Sequence, residues 1–172
     1  DEVPQLKRYL MMGPFATAFD KWEANQKFEP IHINYREGES VYIVNEKDAF
    51  VTIFSLRFRD PDDVILAQVF FQEFQDARRD RTVGNAPAVT FTQGKKPLEL
   101  QKVSSVEESS STAFVSLVLF KSHVTAANRT RTIDNLLLFR TYFHYHLKCS
   151  KAYMHFRMRD RVEKSLKVLN HA

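Results

Sequence analysis

A chain of 172 residues, 44% hydrophobic and 27% charged, with fifteen Phe, is long enough to bury one good core and excludes general disorder. A net charge of +4 is too modest for a histone-like polyanion binder, so what matters is where the charge sits. The lone Cys149 excludes an internal disulfide and points to a reducing compartment, and no run of about eighteen apolar residues marks a membrane span. No secretory leader pattern is recognised, and Asp1 in place of a methionine suggests a piece of a longer polypeptide.

In residues 6–25, Leu6, Leu10, Phe15, Phe19 and Trp22 recur near helical spacing, and Gly13-Pro14 predicts a break between two short helices. Three strand-like runs follow. Ile31, Ile33 and Tyr35 alternate with His32 and Asn34, residues 41–44 form a second run, and in the third Phe50, Phe54, Leu56 and Phe58 share one face. Turn residues at 37–39 and 45–48 predict an antiparallel meander. Asp60-Pro61-Asp62-Asp63 combines an N-cap, a proline suited to the first turn and acids at the positive helix end, predicting a helix to about Arg79. Its apolar stripe (Val64, Ile65, Leu66, Val69, Phe70, Phe71, Phe74) is too wide for a lone surface helix.

Residues 82–111 read as loop, with a short strand at 88–92 and a mobile serine-rich stretch at 104–112. The nearly continuous apolar run 113–120 has the make-up of a central strand. Residues 133–169 contain neither Gly nor Pro and predict one helix of about 55 Å. Its first half is apolar nearly all round. Its second half keeps one stripe, Met154, Met158, Val162, Leu166 and Leu169, which is what a helix of another chain would cover. The expected fold class is α+β in one domain, 1–172: an antiparallel sheet flanked by helices, with a long C-terminal α-helix.

Catalytic constellations are weak. His144, His146, Cys149 and His155 invite a metal, but on a helix only His146 and Cys149 share a face, so packing roles are expected and no metal or cofactor is. Glycine-rich phosphate loops and nucleophile or zinc-helix motifs do not occur. Between Lys148 and Lys167 seven Lys or Arg face two acids, a cationic strip for an acidic partner or simply a solvated face. Nucleic acid fits less well, because the aromatics do not alternate with the charges, and an anionic lipid surface less well still.

Several segments resemble a known family: Ile33-Asn34-Tyr35-Arg36-Glu37, Arg57-Phe58-Arg59-Asp60-Pro61-Asp62-Asp63-Val64, Val69-Phe70-Phe71-Gln72-Glu73-Phe74 with Arg78-Arg79, Pro97-Leu98-Glu99-Leu100, and Val118-Leu119-Phe120 with His123. The most specific stretch is His144-Tyr145-His146 followed by Lys148-Cys149-Ser150-Lys151-Ala152-Tyr153, within 139–159. Together they resemble the p34-Arc family, the second subunit of the actin-related protein 2/3 (Arp2/3) complex, from about Leu6 onward. The chain departs from the family at Lys121-Ser122, where a Pro-Arg pair is usual.

The resemblance implies a non-catalytic structural and actin-binding subunit of the cytoplasmic actin cytoskeleton, supporting branched-filament nucleation. This chain would be its C-terminal domain, a similarly folded first domain lying ahead. The terminal helix would pair with its counterpart on subunit 4 of the complex, and both subunits would touch the mother filament. Matching positions suggest Lys47, Phe139 and Lys167 for the filament-facing surface; Arg157, Arg159 and Lys164 join them by charge and position. The alternative is a basic-helix module binding nucleic acid or anionic lipid.

Overall fold

The computed structural model describes residues 2–46 and 48–170, with the backbone alone for 2–8. In chain order it contains α1 (Glu2–Glu23), β1 (Ile31–Arg36), β2 (Glu39–Asn45), β3 (Phe50–Arg57), α2 (Pro61–Ala77), β4 (Ala88–Gln93), β5 (Thr112–Leu119) and α3 (Arg129–Asn170). The strands form one antiparallel sheet in the order β1-β2-β3-β5-β4. The meander is as the alternation predicts. The apolar run at 113–120 becomes β5, flanked by β3 and β4.

Period-two alternation divides the sheet's side chains between two faces. Val41, Ile43, Phe50, Phe54, Leu56, Val115 and Leu117 point to one side, and all three helices pack there, with Phe15, Phe19 and Trp22 from α1, Val64, Ala67 and Phe71 from α2, and Ile133, Leu136, Phe143 and Leu147 from α3. Aromatic rings dominate this layer. Phe71 and Phe143 stack at 4.8 Å, and Phe19 meets Phe50 at 4.4 Å.

The opposite face (Tyr42, Val44, Val51, Ile53, Phe114) has no α-helix over it among the described residues, only a single 3-10 turn at Leu98–Leu100. Leu100, Val103 and Val106 cover it from the segment that reads as loop. That segment is pinned by Glu108, whose Oε1 accepts the Lys96 backbone N–H at 2.8 Å, and by the Lys96 ammonium, which donates to the Val103 carbonyl at 3.2 Å.

Two boundaries differ from expectation. Residues 2–23 form one helix with Pro14 inside it, not two helices broken at Gly13-Pro14. Proline removes one backbone hydrogen bond and bends a helix without having to end it. Here Phe15, Ala18, Phe19 and Trp22 anchor the part that follows against the sheet, while Tyr9 and Leu10 ahead of it stay exposed. The terminal helix starts four residues earlier than the apolar pattern, at Arg129. Local polar contacts make that start: the Asn128 side chain accepts the Thr125 N–H at 2.7 Å, and the Thr132 hydroxyl donates to the His123 carbonyl at 2.8 Å. Arg129 then ties α3 to α1, donating to the Ala16 carbonyl at 2.6 Å and pairing with Asp20 at 2.7 Å.

Candidate interaction surface

The helix α3 has 42 residues and would be about 63 Å long at 1.5 Å per residue. Only its first half is packed into the body of the protein. Besides its apolar contacts and the Arg129 tie to α1, two further polar attachments hold that half. The first joins it to the β1–β2 hairpin, where the Arg140 guanidinium pairs with the buried Glu39 carboxylate at 2.7 Å and the His144 ring nitrogen Nε2 lies 3.9 Å from it. Burial, reinforced by the neighbouring Arg140 cation, lowers the His144 pKa below its ordinary value, despite Glu39 opposing. Burial also raises the nearby Tyr35 phenol well above its usual range, with the Glu39 charge adding to it.

The second attachment is Lys151, which pairs with Asp60 and with Asp63 at 2.7 Å. Asp60 is also the N-cap of α2, accepting the Asp62 N–H at 3.0 Å. Hydrogen bonds from Lys151 and then from that N–H pull the Asp60 pKa down, and the two aspartates raise that of Lys151. Beyond Lys151 every described residue of α3 except Asp160 is exposed.

At about 100° per residue, the core-facing residues Ile133, Leu136, Phe143 and Leu147 lie on the same side of α3 as Met154, Met158, Val162, Leu166 and Leu169. The apolar line therefore runs straight out of the core into solvent: Phe143 and Leu147 are 2% and 3% exposed, Met158 and Leu166 62% and 59%. Met158, Val162 and Leu166 floor a shallow groove rimmed by His155, Arg159 and Glu163.

The proposed filament-facing residues are not brought together. Lys47 lies outside the described residues. Phe139 is half-buried, 5.0 Å from Phe54 and stacked at 6.3 Å on Phe143, roughly 27 Å along the helix from Arg157. Lys164 and Lys167 are exposed but pair within the helix with Asp160 at 2.8 Å and Glu163 at 2.6 Å. Arg157 and Arg159 make no ion pair among the described residues, and they point about 160° apart. Arg157, Lys164 and Lys167 share the side of α3 away from the apolar line, whereas Arg159 borders it.

On that far side runs a second set of exposed apolar residues, Leu138, Tyr142, Tyr145, Tyr153 and Phe156. The spacing in sequence carries this stripe, but an all-round apolar half-helix hides it until the core shows which side is covered. The His146 ring rests edge-on against Tyr142 at 4.2 Å. Among the described residues no three His, Cys, Asp or Glu side chains gather closely enough to hold a metal ion. No helix among them is long and apolar enough to cross a membrane.

Residues 1–172 match the family described as "Arp2/3 complex, 34 kD subunit p34-Arc". The chain belongs to the p34-Arc family. It is similar to actin-related protein 2/3 complex subunit 2 of Dictyostelium discoideum, 43% identical over 173 residues that cover 99% of this chain and 58% of that relative. Against the subunit of the same name from Schizosaccharomyces pombe the identity is 37% over 190 residues, covering 99% of this chain and 59% of the relative. This p34-Arc chain therefore spans less than two thirds of either relative's length.

Proposed function

We propose that this p34-Arc chain acts as a structural, non-catalytic part of subunit 2 of the Arp2/3 complex, in the cytoplasmic actin cytoskeleton, where the complex nucleates branched actin filaments. It corresponds to the C-terminal domain of that subunit. The line Met154, Met158, Val162, Leu166 and Leu169 pairs with the long helix of subunit 4, and the basic side of the same helix, with Lys47, faces the mother filament.

The observation that carries this reading is the apolar line itself, buried as far as Leu147 and uncovered from Met154 onward. A domain gains nothing from holding such a line in water, whereas a second helix laid along it would bury it with ordinary ridge-into-groove packing. The basic side suits an acidic polymer, and because exposed ion pairs are each weak, many contacts must act together.

Truncating the full-length protein after Lys151 removes the uncovered line and leaves both polar attachments in place. The truncated protein is expected to fold and to lose subunit 4 on co-purification. Retention of subunit 4 in stoichiometric amount overturns the pairing.

A further inference from the structure

One cavity lies apart from the uncovered line, where the second half of α2, the ends of β4 and β5 and the first turns of α3 fail to close. Its volume is about 370 Å³, within the size range of ligand pockets. Its walls are apolar, with Phe74, Leu117, Phe139 and Tyr142 among them, and its lining includes Arg78 and Arg131 but no Asp or Glu. Several of its polar groups are already engaged. His123 accepts the Phe120 N–H on Nδ1 at 2.8 Å and bonds the Asn85 carbonyl through Nε2 at 2.7 Å, and Thr132 is bonded to the His123 carbonyl.

The two guanidiniums are different: among the described residues neither makes an ion pair, and the Nε of Arg78 is buried without any hydrogen-bond partner. A guanidinium without an ion-pair partner is matched best by a carboxylate, which reaches it through its terminal nitrogens.

From this charge complementarity we infer that the cavity is a docking pocket for a partner chain of the complex. One bulky apolar side chain of that partner fills the aromatic walls, and a neighbouring carboxylate bonds Arg78, with Arg131 adding to the positive rim. An apolar anchor in a desolvated pocket beside a charged pair is the usual form of a binding hot spot. The inference rests on the reading of this chain as a structural subunit and assigns it a contact on a face other than the α3 line.

Its test uses two probes with one apolar body and opposite heads, 4-phenylbutyrate and 4-phenylbutylamine, titrated into the full-length protein and into the assembled complex while methyl signals of Leu117 and Leu119 are followed. The butyrate is expected to bind the free protein and the amine not. Arg78→Gln should weaken the butyrate about tenfold or more, while Arg79→Gln, a neighbour paired with Asp76, leaves it unchanged. In the assembled complex the pocket should be closed to the butyrate. A photoreactive benzoylphenylalanine in place of Phe74 should then cross-link to a partner segment in which Asp or Glu neighbours a large apolar residue.

Equal binding of the amine, or indifference to Arg78→Gln, overturns the charge argument. A pocket equally open in the complex, with no such cross-link, overturns the partner and leaves a free amphipathic acid as the occupant. Co-purification of the complex reads the parent assignment separately, so failure of the pocket and failure of subunit membership give different results.

Discussion

Replacing Met158 with Asp separates the stability of this chain from its assembly. Met158 is 62% exposed, and full burial of such a side chain stabilises by about 1.5–3 kcal/mol, so covering it contributes roughly 1–2 kcal/mol to pairing. A carboxylate stranded under a partner helix costs several kcal/mol more. The combined loss, about 5 kcal/mol, corresponds to more than three orders of magnitude in affinity. In the unpaired chain the same position faces water, and Met158→Asp costs only about 0.5 kcal/mol of helix preference, a shift in Tm of about 2 °C for a domain of this size. The assay is co-purification of subunit 4 with the full-length variant, alongside thermal melting by circular dichroism of the variant alone. Val168→Asp is the control, because Val168 is as exposed as any stripe residue yet points about 100° away from the stripe's centre line. Undiminished co-purification of Met158→Asp, or equal loss with Val168→Asp, refutes the reasoning.

Charge reversal of Lys47, Arg157 and Lys167 together is expected to weaken cosedimentation of the assembled complex with actin filaments, with the difference shrinking as salt rises; unchanged cosedimentation at low salt removes the assigned surface. Burial sets the folded pKa of His144 below the unfolded value near 6.5, so the unfolded chain takes up more protons as pH falls through that value. Stability should therefore decline below about pH 6.5, and His144→Gln should flatten that part of a urea-denaturation pH profile. Gly38 sits at φ +71 with the position of a Cβ 3.0 Å from the Arg57 side chain, so Gly38→Ala should cost about 1 kcal/mol or more in urea denaturation. Lys151→Met should speed amide exchange selectively around residues 148–152, where α3 loses its last polar attachment.

What the sequence made legible was local. Alternation at Ile31, Ile33 and Tyr35, turn residues at Gly38, and the Asp60-Pro61 helix start each act over a few residues, and each element formed where it was expected. Pairing between distant segments carries no such signal. Residues 112–119 read as a central strand, but nothing in them names β3 and β4 as the neighbours, and nothing in Leu100, Val103 or Val106 says that an apparent loop covers the middle of one sheet face. The same holds for the site. The apolar stripe was readable because one helix carries it, whereas the Glu39–Arg140 pair joins residues 101 positions apart and the Arg78 cavity needs α2, β5 and α3 in place before it exists. Phe139 illustrates the ambiguity of an aromatic residue in a half-helix that is apolar all round: its ring is shared between the packed layer and the cavity wall.

Why α3 should remain helical beyond its own domain is a question of magnitudes. The nineteen residues 152–170 are close to the length at which an isolated helix is only marginally stable in water. Asp160 to Lys164 and Glu163 to Lys167 are pairs in the better orientation, acid before base by four residues, but exposed pairs add only a few tenths of a kcal/mol each. Continuity with the packed half removes the cost of nucleation, and Lys151 fixes the last turn before the projection. Neither adds burial to Met158 or Leu166. The projecting half therefore has a direction set by its own domain, and a helix laid along its apolar line would complete its stability and couple the ordering of residues 152–170 to assembly.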